Sequence, residues 1–222
     1  MTTLPAASVV TRMRVLRVVP VIIVNDPDQA IPLAEALADG GLPCAEITFR
    51  TPGASEALAR IAKARPDFLV GAGTVLTAEQ ADRALDSGAQ FAVAPGMNAR
   101  VVEHCLKIGL PMYPGICTPS DIETALALGL RTVKFFPAEP AGGVRYLQAI
   151  AAPYGDLDFM PTGGITRDTV AGYLGFNRVV ACGGSWMAPA EWIAAGAFDQ
   201  IRNETRRVVE LVNQLENCVV IA

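Results

Sequence analysis

Histidine is almost missing from this 222-residue chain: His104 is its one copy. The five cysteines, Cys44, Cys105, Cys117, Cys182 and Cys218, are odd in number and form no close pair. One histidine and no Cys-x-x-Cys leave almost no room for a His/Cys zinc centre. The unpaired cysteines fit a reduced, cytoplasmic setting, most of them as small core residues. His104 sits in Val101-Val102-Glu103-His104-Cys105-Leu106, a helical pattern, and reads as a partly exposed structural histidine.

Charge is also sparse. Charged residues make up 18% of the chain, against ~25% in average globular usage. Lys+Arg 18 against Asp+Glu 22 leaves a net charge of −4 without a basic run. Nucleic acid and an anionic membrane surface are therefore poor main partners. Arg202, Arg206 and Arg207, at helical spacing, read as a solvated helix face. The longest uncharged stretches, Ile108 to Ser120 and Val179 to Ala190, contain Pro and Gly. They fall short of the ~20 apolar residues that a membrane span needs. No charged residue precedes the apolar part of residues 1–11, so no secretory signal is visible. Low-complexity segments and linkers are absent.

What remains is apolar and evenly punctuated. The chain is 51% hydrophobic, enough for one large core, and its length favours a single domain. Short apolar runs recur at Val18–Val24, Cys44–Thr48, Leu69–Gly73, Phe91–Ala94, Met112–Gly115, Thr132–Phe136, Asp158–Thr162 and Val179–Gly183. Their starts lie 20 to 26 residues apart, the length of a strand, two loops and a helix. Helix signals fill the gaps. Asn25-Asp26-Pro27 opens a segment that ends at Gly40-Gly41. Thr77-Ala78-Glu79-Gln80 is a capping box whose segment ends at Ser87-Gly88. Thr118-Pro119-Ser120-Asp121 opens another, closed by Gly129. Strands alternating with helices predict βαβ units on a parallel sheet. Such a sheet is either open and doubly wound or closed. Eight even units suit a small (β/α)8 TIM barrel, and the lack of Gly-x-Gly-x-x-Gly after the first strand argues against the dinucleotide-binding open sheet. The expected organisation is one barrel domain over 1–222, with a short extension at about 1–16.

Barrel chemistry belongs at the C-terminal ends of strands. In Glu46-Ile47-Thr48-Phe49-Arg50, alternation puts Glu46, Thr48 and Arg50 on one side and Ile47 and Phe49 on the other. The apolar pair should pack on helices, and the polar trio should face the barrel and its mouth. Glu46 stands inside an apolar strand, where an acid is rare and points to function, or else to a structural pairing with an arginine. The chain has three lysines. Lys63 and Lys107 lie in solvent-type helical patterns, but Lys134 lies mid-strand in Thr132-Val133-Lys134-Phe135-Phe136. Desolvation disfavours a charged ammonium, and a neutral amine attacks carbonyls. The bland alternative is a structural pair with Glu46, or a lysine reaching to an edge. Thr74 leaves the third strand with a hydroxyl. Pro95-Gly96 and Pro114-Gly115 read as turns. Gly163-Gly164 closes the seventh run and Gly183-Gly184, followed by Ser185, closes the eighth; paired glycines there suit a barrel's phosphate cradle of backbone N–H groups. Together these suit a Schiff-base lyase acting on a phosphorylated oxo-acid.

The segments VVPVI at 18–22, EITFRT at 46–51, VGAGTVL at 70–76, FAVAPG at 91–96, YPGICTPSD at 113–121, VKFFPAE at 133–139, PTGGI at 161–165 and CGGSW at 182–186 resemble the KDPG/4-hydroxy-2-oxoglutarate aldolase family. KDPG is 2-keto-3-deoxy-6-phosphogluconate. The resemblance implies a class I aldolase of the Entner–Doudoroff pathway, cutting KDPG into pyruvate and D-glyceraldehyde 3-phosphate. It implies no metal, no organic cofactor and a homotrimer. It implies Lys134 as the imine lysine and Glu46 as the general acid/base. Arg50 and Thr74 would hold the pyruvate carboxylate, and Pro95 and Phe136 would line the pyruvyl pocket. Thr162 would lie near the middle of the substrate, with Gly163, Gly164, Gly184 and Ser185 at its phosphate end. A sister enzyme for the phosphogalactonate isomer lacks the arginine of EITFRT and the threonine of PTGG, so Arg50 and Thr162 favour the gluconate. Residues before Val18 and after Glu191 match less distinctly and carry no role. Two alternatives stay open: 4-hydroxy-2-oxoglutarate as the main substrate, or a non-catalytic phosphosugar-binding barrel.

Overall fold

In the computed structural model, which describes residues 5–219, every strand pair is parallel. β1 (Val18–Ile22), β2 (Cys44–Thr48) and β3 (Leu69–Gly73) are five residues each. β4 (Ala92–Val93), β5 (Met112–Tyr113) and β6 (Gly115–Ile116) are short, followed by β7 (Thr132–Phe135), β8 (Asp158–Pro161) and β9 (Cys182–Gly184). One sheet runs β5-β4-β3-β2-β1-β9 and the other β6-β7-β8. The chain is thus α/β with a curled parallel sheet.

The eight apolar runs of the sequence become nine strand segments because the fifth is divided at Pro114. Proline has no N–H to donate to a ladder. The backbone nevertheless passes through in register: Tyr113 O accepts from Ala94 N–H at 3.3 Å, and Pro114 O accepts from Lys134 N–H at 2.9 Å. At the other side, Phe159 bridges to Val179 and Thr162 to Gly183. The curl is therefore continuous from β5 into β6, and isolated bridges tie β8 to the run that ends in β9.

The helix starts follow the sequence signals. The Thr77 hydroxyl accepts from Gln80 N–H, and the Gln80 side chain accepts from Leu76 N–H rather than from Thr77 itself. Thr118 and Asp121 form the full reciprocal box. Asp26 caps a single 3₁₀ turn, Pro27–Gln29, and the α-helix begins only at Ala30. His104 lies on the outer helix Ala99–Lys107, half-buried, with Nε2 2.7 Å from Asp82 Oδ1. Arg206 and Arg207 are exposed on the last helix, Phe198–Val219.

Residues expected to form an extension are instead built in, apart from 1–4, which lie outside the described residues. Ala6–Leu16 is a helix that buries Val9 and Met13 completely. Burying two such side chains contributes ~1.5–3 kcal/mol each. Arg14 pairs with Asp158 at 2.6 Å, and Arg17 donates to the carbonyls of Leu174 and Val179. This helix is thereby fastened to the N-terminal side of β8 and to the segment before β9.

Cys44, Cys105 and Cys182 are buried free thiols, and Cys117 is half-buried; the side chain of Cys218 lies outside the described residues. Burial pushes the Cys44 thiol up to about 12 and that of Cys105 up to about 11. These are core residues rather than reactive thiols. No helix among the described residues is long and apolar enough to cross a membrane.

Candidate active site

β2 and β7 supply the centre of the site. Lys134 and Glu46 are both buried, 5% and 2% exposed. Lys134 Nζ lies 3.4 Å from Glu46 Oε1 across the sheet interior. Nothing in the local sequence joins these residues, which are 88 positions apart; the curl of the sheet does.

Glycines make the room. The register sets Glu46 beside Gly71 and Thr48 beside Gly73. A Cβ on Gly73 would lie 2.1 Å from Glu46 Oε1 and 2.6 Å from its Cγ, so the carboxylate occupies the space that a side chain at 73 would take. Gly71 is filled in the same way by the Phe91 ring. The strand pattern alone assigns neither glycine a role. Their signal is the spacing of two: glycine at alternate positions of a strand that neighbours a buried acid. Gly73→Ala is expected to fold, because the obstructing group is the Glu46 side chain rather than backbone. It should displace the carboxylate and lower kcat ~10- to 100-fold, the scale of an ångström-sized misplacement. Unchanged kcat in a folded variant would show that the Glu46 position is not critical.

At the mouth, Arg50 is exposed and its Nε donates to Thr74 Oγ1 at 3.2 Å. Thr74 has φ 59°, in the left-handed region. A β-branched residue rarely sits there, and the strain is of order 1–3 kcal/mol. Such strain is tolerated where the surroundings hold a side chain in one required position. Thr48, read with Glu46 and Arg50 as facing the interior and its mouth, is completely buried and donates to the Ile22 carbonyl at 2.9 Å, binding β2 to β1. Ile47 is buried, and Phe49 is half-buried.

The remaining candidates lie around this pair. The Phe136 ring lies with its centroid 5.5 Å from Lys134 Nζ. Pro95 is half-buried, and its carbonyl oxygen faces Gly115, where a Cβ would come within 2.1 Å. Thr162 is buried, and its hydroxyl fills the space at Gly183. Gly163 and Gly164 have φ 106° and 79°. A Cβ on Gly163 would lie 3.2 Å from the Phe136 ring, and one on Gly164 would lie 2.8 Å from Glu139 Cβ. Glu139 in turn accepts from Tyr173 Oη at 2.5 Å. A Cβ on Gly184 would lie 1.7 Å from the Trp186 ring, while Ser185 is exposed. The side-chain space at 164 and 184 is thus taken by the protein's own Glu139 and Trp186. What these turns can offer an anion is backbone N–H and the Ser185 hydroxyl.

A buried amine beside a buried carboxylate, with a guanidinium at the mouth, combines a nucleophile, a proton carrier and an anion anchor. The comparisons with known proteins bear on the same stretch of chain. The family model for KDPG and KHG aldolases matches residues 9–204. The chain belongs to the KDPG and KHG aldolase family. The match takes in every candidate from Glu46 to Ser185. The 2-dehydro-3-deoxy-phosphogluconate aldolase of Treponema pallidum is 50% identical over 197 residues, covering 89% of this chain and 94% of that one. The KHG/KDPG aldolase of Escherichia coli is 43% identical over 193 residues, covering 87% and 91%. A crystal structure of the KDPG aldolase of Legionella pneumophila, with pyruvate captured as a covalent carbinolamine, superposes with a TM-score of 0.87 at 36% identity, covering 90% of this chain and 97% of that one.

Proposed function

We propose that this chain is a class I aldolase that cleaves 2-dehydro-3-deoxy-6-phosphogluconate into pyruvate and D-glyceraldehyde 3-phosphate. The observation that carries the proposal is the buried contact between Lys134 Nζ and Glu46 Oε1, 3.4 Å apart. The architecture we assign is a single-domain (β/α)8 barrel, with the β8–β9 bridges as its closing seam and the pair inside. Lys134 attacks the C2 carbonyl, and loss of water gives a protonated imine. That cation takes up the electron pair of the C3–C4 bond as it breaks. Glu46, directly or through a water, takes the C4 hydroxyl proton, and the aldehyde leaves. Glu46 then returns a proton to C3 of the enamine, and hydrolysis frees pyruvate. Arg50 and Thr74 hold the carboxylate, so the imine carbon stays beside Glu46. Pro95 and Phe136 wall the pyruvyl pocket, and Thr162 meets the middle of the substrate. Gly163, Gly164, Gly184 and Ser185 receive the phosphate. The imine supplies the electron sink without a metal or organic cofactor. We assign the enzyme to the cytoplasm, as a homotrimer.

Borohydride with pyruvate is expected to fix one pyruvyl group per chain on Lys134, read by mass spectrometry of the peptide. Label on Lys63 or Lys107, or no label, would refute the mechanism.

A second substrate, 4-hydroxy-2-oxoglutarate, is favoured by the E. coli relative, which carries both names. The phosphate end separates the two. Because Trp186 already fills the face of Gly184, a bulkier residue there would disturb packing, and Ser185 is the cleaner probe. Ser185→Ala should lose one charge-assisted hydrogen bond, ~1.5–3 kcal/mol or about ten- to a hundredfold in kcat/KM for the phosphorylated substrate. The rate with 4-hydroxy-2-oxoglutarate should barely change. Equal losses on both substrates would remove Ser185 from the phosphate site. A wild type without preference for the phosphorylated substrate would put the second reading first.

A further inference from the structure

Glu139 has no step in the reaction above, yet it is tied in three ways to the turn that would receive the phosphate. The first tie is backbone. The N–H of Ala138 donates to Thr162 O at 2.9 Å, and that of Glu139 donates to Gly163 O at 3.0 Å. A planar trans peptide points its C=O and its N–H in opposite directions. The N–H groups of these two peptides belong to Gly163 and Gly164, so both point away from the 138–139 segment. The second tie is packing. A Cβ on Gly164 would lie 2.8 Å from Glu139 Cβ and 3.2 Å from its Cγ, so the Glu139 stem lies against the turn. The third is the carboxylate, whose Oε1 accepts from Tyr173 Oη at 2.5 Å. Tyr173 stands in the helix Val170–Leu174, into which the same turn leads.

The segment that carries Glu139 is itself fixed. The carbonyls of Pro137, Ala138 and Glu139 accept from the N–H groups of Ala141, Gly143 and Gly142 at 3.0, 3.0 and 3.1 Å. Glu139 therefore braces the turn from both ends, by backbone at Gly163 and by side chain at the helix beyond Gly164. Packing alone does not call for an acid here. Tyr173 is 1% exposed and its hydroxyl needs an acceptor, but any carbonyl oxygen would serve it. A carboxylate beside a phosphate-binding turn is a liability, because like charges repel. The bond from Tyr173 holds that charge at the start of the helix Gly143–Ala151, where a Cβ on Gly143 would lie 3.8 Å from Glu139 Oε1. The positive end of a helix favours an anion. Burial first, and then the Glu139 carboxylate, push the Tyr173 phenol strongly up, so it stays a donor.

We propose that Glu139, held by Tyr173, is a positioning residue for the phosphate turn. The brace keeps the Gly163 and Gly164 N–H groups aimed at the phosphate of the substrate and keeps the carboxylate off it. Glu139 acts through the turn and touches no reacting atom. The proposal rests on the reading of Gly163 and Gly164 as the phosphate end of the site. Its consequence is selective. Without the brace, the turn loses its aim and the carboxylate is free to swing toward the phosphate, while Lys134 and Glu46 keep their contact across β2 and β7. A phosphorylated oxo-acid then binds less well, and an oxo-acid without a phosphate is unaffected.

The test is Tyr173→Phe in the full-length enzyme, assayed on 2-dehydro-3-deoxy-6-phosphogluconate and on 4-hydroxy-2-oxoglutarate. Phenylalanine keeps the ring and removes only the donor. KM for the phosphorylated substrate should rise about tenfold, the scale of one hydrogen bond to a charged group. Its kcat, and kcat/KM for 4-hydroxy-2-oxoglutarate, should stay within about twofold. Glu139→Ala removes the brace from the other side and should show the same split. The double variant should be no worse than either single one, because both remove one contact. Glu139→Gln is the rescue: its amide oxygen accepts the same bond, so KM should return to within about threefold of wild type. Equal losses on both substrates, an unchanged KM for the phosphorylated one, or a Glu139→Gln as impaired as Glu139→Ala would overturn the proposal. Failure of the phosphate reading has a different signature: the wild type itself would then show no preference for the phosphorylated substrate.

Discussion

Lys134→Met will abolish the pyruvyl imine and lower kcat by ~10⁴-fold or more, the scale on which removal of a covalent nucleophile acts. Methionine matches the lysine stem in length and suits the apolar strand. What disappears is the nitrogen, and with it the cationic sink for the C3–C4 electron pair. One complication follows from the geometry. Lys134 is the cation beside the buried Glu46 carboxylate, and breaking a buried pair from one side destabilises by about 3–5 kcal/mol. Lys134→Met/Glu46→Gln, which leaves no lone charge, is therefore the folding control. The double variant should melt above the single one and remain inactive and unlabelled by borohydride. A single variant that folds and keeps more than about one percent of wild-type kcat would place the nucleophile elsewhere.

Much of the fold is legible in the sequence because it depends on local periodicity. Cys44–Thr48 and Leu69–Gly73 are strands with the same bounds that the apolar runs have. Glycines at 88 and 129 end helices at φ 89° and 79°, as turn chemistry requires. Two features escaped for physical reasons. Pro114 breaks the hydrogen-bond ladder without breaking the strand direction, so one apolar run yields two short segments. The helix Ala6–Leu16 carries only two fully buried residues, Val9 and Met13, four apart. Its N-cap is Pro5, with no side-chain cap. So weak an apolar stripe does not distinguish a packed helix from an extension.

The centre of the site is legible for a different reason. An acid and a lysine inside apolar strands conflict with burial, and such conflict marks a place where something other than packing decides the residue. Strand alternation then gives the side to which each points. What alternation cannot give is distance between strands. The 3.4 Å contact and the lodging of Glu46 over Gly73 both depend on inter-strand register. The glycines after β8 and at the end of β9 show the opposite difficulty. Sequence reads both pairs as open backbone for an anion, whereas Glu139 and Trp186 take the side-chain space at 164 and 184.

Glu46→Gln should keep imine formation in part while kcat for cleavage falls ~10²–10⁴-fold, the usual worth of a positioned acid/base. Glutamine preserves the size and polarity that the slot over Gly73 selects, so the protein should fold. It also leaves Lys134 without its buried anionic neighbour, so the yield of borohydride trapping should fall but not vanish. The proton steps are different. An amide neither takes the C4 hydroxyl proton nor delivers one to C3, and both half-reactions fail for the same reason. Exchange of pyruvate methyl protons into deuterated water isolates the second of them, since it needs the imine and the C3 proton transfer but no bond cleavage. That exchange should be lost along with cleavage. If the variant exchanges methyl protons at a near-normal rate, the C3 proton is carried by another group, and Glu46 is left with orienting or stabilising the lysine. Loss of imine trapping as complete as in Lys134→Met would instead make Glu46 indispensable already at imine formation, ahead of cleavage.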